Sequence, residues 1–147
     1  MNTAVTRGKR KIMSARGRNR CGVAAVEFAV VAPIFFLLVF GMIEYGRLVM
    51  VQQVLTNASR EGARAAVVDG STTAQVTSVV NNYLTSAGLK TATVTVSPSP
   101  PSSAVYGATV TVSASMPFSD VGWLPKPIYL GSATLKSTVV MRRETQP

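Results

Sequence analysis

Residues 23–43 read VAAVEFAVVAPIFFLLVFGMI, and this stretch decides how the rest of the chain is arranged. It carries one charge, Glu27, and as a helix rising 1.5 Å per residue it spans about 31 Å. The hydrocarbon core of a bilayer is about 30 Å thick, so the stretch is long enough to cross it. The alternative is a buried helix in a soluble protein, but a chain of 147 residues has too small a core to cover so apolar a rod on every side. The sequence therefore predicts a transmembrane helix over residues 23–45.

The basic charge of the chain is concentrated before this helix. The formal net charge is +9, and residues 1–22 contribute +7 of it with no acid, which leaves +2 for residues 23–147. Lys and Arg beside a membrane span are held on the cytoplasmic side. The chain is thus predicted to be anchored in the inner membrane. Residues 1–22 would be a cytoplasmic leader and residues 46–147 an exported, periplasmic domain. A basic arm could instead attract nucleic acid, but its place directly before an apolar helix argues against a nucleic-acid partner.

Two residues at the start of the helix suggest a function beyond anchoring. Glu27 is a carboxylate where charge is expensive, which points to a functional role. If the leader were cut after Gly22, Val23 would carry a new α-amino group one helical turn from Glu27, in its own chain or a neighbour's. The alternative is that Glu27 snorkels to the headgroups. An ordinary secretory signal is disfavoured, because the apolar run is long and ends without a small-x-small cleavage site.

These residues resemble a known family. The run Gly22-Val-Ala-Ala-Val-Glu27-Phe28 is similar to the processing site of the prepilins of tight-adherence (Tad, or Flp) pili. The runs 25–33 (AVEFAVVAP), 41–47 (GMIEYGR) and 58–65 (ASREGARA) resemble the TadE-like minor pilins, or pseudopilins, more specifically. The resemblance covers about residues 20–70, just under half of the chain.

The resemblance implies a processing and assembly route. A prepilin peptidase would cut between Gly22 and Val23, and Glu27 with its neighbour Phe28 would serve processing or assembly. The mature chain would pack against other pilins and join a type IV pilus for adhesion, or its assembly platform. Residues expected to take part in helix packing are Pro33, Glu44, Arg47, Arg60, Glu61, Gly62 and Arg64.

The exported part is predicted to be α+β, with a continuation of the first helix, a second helix and an antiparallel sheet of about three strands. Small residues form the distal half of a stripe on the first helix, so another helix could approach closely there. That stripe consists of Leu48, Val51, Leu55, Ala58, Gly62 and Ala65. Glu61 and Arg64 are spaced for an i,i+3 pair; these charges are interpreted as a solvated face, and a specific docking site is the alternative.

Local signals place the second helix and the strands. Thr72 and Gln75 have the spacing of an N-terminal capping box, and Gly88 is a natural C-terminal cap. The predicted apolar face is Val76, Val79, Val80, Tyr83, Leu84 and Ala87. Residues 91–97, 108–115 and 133–141 alternate hydroxyl and apolar side chains, as half-buried strands do. The loop 117–131 carries Phe118, Trp123, Ile128 and Tyr129, expected to cap the core; a binding surface is the alternative.

The composition argues against catalysis. The chain has no His and a single cysteine, Cys21, so it cannot form an internal disulfide or a usual zinc site. No base, nucleophile or phosphate-binding loop is evident. We therefore expect a non-enzymatic protein without cofactor or metal. The rival to the pilin interpretation is an uncleaved single-span membrane protein whose periplasmic domain binds a partner in a secretion or sensing complex.

Overall fold

The computed structural model describes residues 18–90, 92–121 and 129–143, and side chains from Gly22 onward. Its helices are α1 (Arg18–Ala66) and α2 (Thr73–Ser86). Its strands are β1 (Thr93–Ser97), β2 (Thr109–Pro117) and β3 (Thr134–Arg142). This order confirms the predicted α+β class, with a long first helix, a second helix and a three-stranded antiparallel sheet. Most of the predicted leader, residues 1–17, lies outside the described residues.

The chain divides into two compact units, the first ending at Val39 and the second beginning at Phe40. In the first unit the structure describes only the N-terminal part of α1, whose side chains from Gly22 on are exposed except for the half-buried Ala32 and Val39. The helix continues through Pro33. It is long and apolar enough to cross a membrane, as the sequence predicted.

The second unit is built on the sheet, in the order β1-β2-β3 with both pairings antiparallel. Strand β2 lies in the centre and alternates buried apolar residues with Thr and Ser. Its buried members are Val110, Val112, Ala114 and Met116. Phe118, directly after this strand, is the largest fully buried side chain among the residues that the structure describes. The alternation predicted from the sequence therefore does separate the core face from the solvated one.

The C-terminal part of α1 supplies the other side of this core. Val51, Leu55 and Ala58 are fully buried, which confirms the predicted stripe. At Gly62 the helix approaches α2 and β2 closely, since a Cβ there would lie 2.4 Å from Val80 Cγ2 and 3.5 Å from Val112 Cγ1. The helix that uses the small residues is thus α2 of the same chain.

We expect Gly62→Ala to destabilise the domain, although Ala is the better helix former. The added methyl cannot fit at 2.4 Å from Val80, and overpacking a core costs about 1–3 kcal/mol. The full chain in detergent should therefore melt several degrees lower. Gly46→Ala is the matched control, because nothing lies within 4 Å of its Cβ position on the same helix. Gly46→Ala should be neutral or stabilising by about 0.5–1 kcal/mol, and an equal melting temperature for both variants would contradict the expectation.

Both ends of α2 are closed as predicted. The Gln75 amide donates to Thr72 Oγ1 at 3.3 Å, and the Thr72 amide donates to Gln75 Oε1 at 2.9 Å, which completes the capping box. At the other end Leu89 N donates to Leu84 O at 2.9 Å around Gly88, whose φ is +72°. This is the Schellman arrangement that favours glycine.

Three details of the predicted core are wrong. Tyr83 and Ala87, assigned to the apolar face of α2, are exposed. Tyr129, expected to cap the core with Phe118, is exposed as well. The other two aromatic or apolar residues of that prediction, Trp123 and Ile128, lie outside the described residues. The strands run 93–97, 109–117 and 134–142, close to the predicted bounds; Thr91 is not among the described residues.

Candidate functional site

Glu44 is a buried carboxylate at the end of the apolar run, with 3% of its surface exposed. Its Oε1 accepts a hydrogen bond from Leu130 N at 3.0 Å, and its Oε2 accepts one from Tyr129 N at 3.2 Å. A buried carboxylate is tolerated only when such donors replace the lost water. Glu44 therefore fixes the backbone of residues 129–130, some 85 positions later in the chain, against α1.

Arg47 lies one helical turn after Glu44 and holds a second point of the same region. Its Nε donates to Val121 O at 2.9 Å, and its Nη1 lies 3.4 Å from Met50 Sδ. Val121 and Tyr129 are the described residues on either side of residues 122–128. The charged pair of the 41–47 run thus binds the backbone at both ends of that segment. We call Glu44 and Arg47 the clamp.

The predicted processing residues lie in the N-terminal part of α1, where the described side chains begin. Gly22, Val23, Glu27 and Phe28 are all exposed, and no atom outside the local helix lies within 4 Å of a Cβ at Gly22. Glu27 has no hydrogen-bond or ion-pair partner among the residues that the structure describes. In this part of the uncleaved chain the carboxylate therefore remains available to a new partner.

The clamp and the processing residues belong to one stretch of sequence that a known family shares. Residues 22–64 match the family model of TadE-like proteins. The resemblance predicted from the sequence is confirmed over these residues. The match begins at Gly22 and ends at Arg64, so every predicted site residue lies inside the TadE-like segment. No curated protein and no solved structure matches the chain.

The C-terminal end of the TadE-like segment carries three solvent-exposed charged side chains. Arg60, Glu61 and Arg64 are exposed. Among the side chains described from Gly22 onward, Glu61 and Arg64 do not form the i,i+3 ion pair that their spacing allows. A pair on a solvated helix gains little over water. Gly62, between them, is buried against α2 and has its packing partner within the same chain.

Outside the TadE-like segment, Arg143 ties together the far end of the domain. Its Nη1 donates to Ser102 O at 2.8 Å and to Ala104 O at 2.7 Å, while Nη2 pairs with Asp69. A shallow cleft of about 420 Å³ lies beside it, lined also by Ser103, Val105 and Tyr106. Since these three contacts occupy the guanidinium, Arg143 acts here as a structural link. Within the described residues there is no group of three or more acidic, His or Cys side chains that could hold a metal.

Sequence reasoning missed the partners of the clamp. It selected Glu44 and Arg47, but their partners are backbone atoms of Val121, Tyr129 and Leu130, which any residue type would supply. It also missed Gly41, where a Cβ would lie 3.4 Å from Tyr129 Cε2. A glycine at the end of an otherwise bulky apolar run is the signal that could have indicated a close contact.

Proposed function

We propose that the chain is a non-enzymatic minor pilin, or pseudopilin, of a tight-adherence pilus. The observation that carries the proposal is the TadE-like match over residues 22–64, which starts at the glycine of the expected processing site. An apolar helix of membrane-spanning length supports it. The proposed partners are a prepilin peptidase, other pilins with their assembly platform, and the lipid of the inner membrane; neither a cofactor nor a nucleic acid is required.

The geometry around Gly22 suits a peptidase. The bond between Gly22 and Val23 lies in the second turn of α1, which begins at Arg18. A protease needs extended backbone, so this turn has to unwind. Glycine is a poor helix former and lowers the cost of unwinding by about 1 kcal/mol relative to alanine. The absence of any atom within 4 Å of a Cβ at Gly22 leaves the bond open to approach.

In this proposal the leader stays in the cytoplasm and the second unit lies in the periplasm. The leader's positive charge sets this orientation. After cleavage, the new amine of Val23 would meet the unpartnered carboxylate of Glu27, in the same chain or in a neighbouring pilin. The pair would form where the dielectric constant is low, and there either charge without its partner would be strongly destabilising.

The cleavage is tested by intact mass and N-terminal sequencing of the protein from cells with and without the prepilin peptidase. We expect a product that starts at Val23 only when the peptidase is present. Gly22→Leu should block cleavage, because leucine is a much better helix former than glycine and its side chain fills the open site. Gly46→Leu, an exposed glycine of the same helix, serves as the control and should be processed normally.

A product that retains residues 1–22 in both strains would overturn the proposal. The chain would then be an uncleaved single-span membrane protein with an exported binding domain. In that case Cys21 would persist in the isolated protein and could be labelled as its one thiol.

A further inference from the structure

The second unit keeps an exposed apolar surface at the end where the apolar run enters it. Met42, Ile43 and Tyr45 of α1 are exposed by 68%, 41% and 65%. Tyr129 lies at the same level of α1, since its ring is 3.4 Å from the Cβ position of Gly41, and it is 57% exposed. We call Met42, Ile43, Tyr45 and Tyr129 the basal patch. Several large apolar side chains left exposed at one level of a folded domain indicate an interaction surface.

The charges nearest to this patch are turned away from it. Glu44 is buried and accepts the amides of Tyr129 and Leu130, and Arg47 Nε donates to Val121 O. The surface of α1 around Glu44 and Arg47 therefore stays apolar beyond the end of the apolar run. Val49 and Met50, exposed by 40% and 50%, extend it by another turn.

The depth of the patch follows from the helix itself. The apolar run ends with residues 41–43, and the ring of Tyr129 lies against α1 at Gly41. Tyr45 lies about 3 Å further along the helix axis than Ile43. The interfacial layer of a bilayer is about 5–8 Å thick on each side of the hydrocarbon, so both tyrosines fall within it. Tyrosine is enriched at this depth, because its ring is apolar and its hydroxyl reaches water.

We propose that the basal patch rests in the interfacial layer of the bilayer, so that the domain docks on lipid and does not stand clear of it on its helix. The clamp contributes to the patch, because Glu44 accepts the amides of Tyr129 and Leu130 and so holds this segment against α1. The inference rests on the membrane anchoring in the proposed function, because α1 has to span the bilayer for the patch to reach this depth.

The test uses single nitroxide labels on the full chain in liposomes of neutral and anionic phospholipid. Cys21→Ser removes the one native thiol, and Tyr129→Cys, Tyr45→Cys, Tyr106→Cys and Ile34→Cys are labelled one at a time. Electron paramagnetic resonance then compares the accessibility of each label to oxygen, which partitions into lipid, and to a water-soluble nickel complex. Tyr106 is the matched control: it is 58% exposed, like Tyr129, but lies beside Arg143 at the far end of the domain.

We expect the oxygen-to-nickel ratio to be highest at position 34, lowest at 106 and shifted to intermediate values at 129 and 45. A ratio at 129 equal to that at 106, with a lipid-like value at 34, overturns the inference and leaves the anchoring intact. A water-like value at 34 shows that the anchoring itself has failed. A label at 129 shielded from both reagents indicates a protein contact, such as a second copy, and also overturns the inference. If Tyr129→Cys unfolds the domain, Ser132→Cys, an exposed residue three positions later in the same connection, takes its place and is compared with position 106 in the same way.

Discussion

A chain with Glu27→Ala should reach the membrane and fold its domain, yet be missing from assembled pili. Glu27 has no partner among the described residues and lies on an exposed, apolar part of α1. In an assembled pilus it would neutralise the amine of Val23, and removing one partner of a buried ion pair costs about 3–5 kcal/mol. That cost corresponds to more than about a hundredfold in association. The measurement is the amount of this protein in sheared surface pili relative to the membrane fraction.

Two variants make this result specific to the charge at position 27. Glu61→Ala removes an exposed glutamate from the same helix and should assemble normally. Glu27→Gln keeps the size and a hydrogen-bond acceptor but loses the charge, so it should fail like Glu27→Ala. Normal amounts of the Glu27→Ala chain in pili would show that the carboxylate only snorkels to the headgroups.

A second large effect is expected from Glu44→Ala. The substitution deletes the acceptor of the Tyr129 and Leu130 amides. Each buried donor left without a partner costs about 1–3 kcal/mol, so the loss of both hydrogen bonds should lower the stability by about 2–6 kcal/mol. Because these donors lie in one short segment, we expect the loss to appear first as local opening of residues 129–130.

Hydrogen exchange of the full chain in detergent, followed by mass spectrometry, measures this opening. Peptides that cover residues 129–133 should exchange faster in Glu44→Ala, whereas peptides from α2 should change far less. Glu44→Gln is the matched control, since its amide oxygen can still accept one of the two hydrogen bonds, and its effect should be intermediate. Unchanged exchange at residues 129–130 in Glu44→Ala would contradict the assigned role of the carboxylate.

The elements that the sequence predicted are those whose signals are local. Thr72 and Gln75 lie three residues apart and make their contacts with each other, so their spacing alone indicates the capping box. Gly88 supplies the positive φ at the end of α2 without help from distant residues. The strands follow from an alternation that any three-stranded sheet with one buried face imposes.

The parts that the sequence did not predict depend on contacts between distant segments. Glu44 stood out as an acid beside an apolar run, but its burial follows from the path of the chain at Tyr129 and Leu130. The same holds for Arg143, which meets Asp69 across 74 positions. Tyr83 shows the opposite failure: helical periodicity assigned it to the core, but it lies at the edge of the buried face of α2 and is 40% exposed.

The boundary at Phe40 has a practical consequence for anyone who wishes to separate the domain from its anchor. Trimming the chain where the hydrophobic stretch ends, after Ile43, would leave Glu44 on a frayed helix terminus and deprive Tyr129 of the glycine against which its ring lies. A water-soluble version therefore has to begin before Gly41 and carry polar replacements on the outward-facing side chains Met42, Ile43 and Tyr45. The hydrophobic stretch and the folded body overlap by one helical turn, and that turn cannot be assigned to either alone.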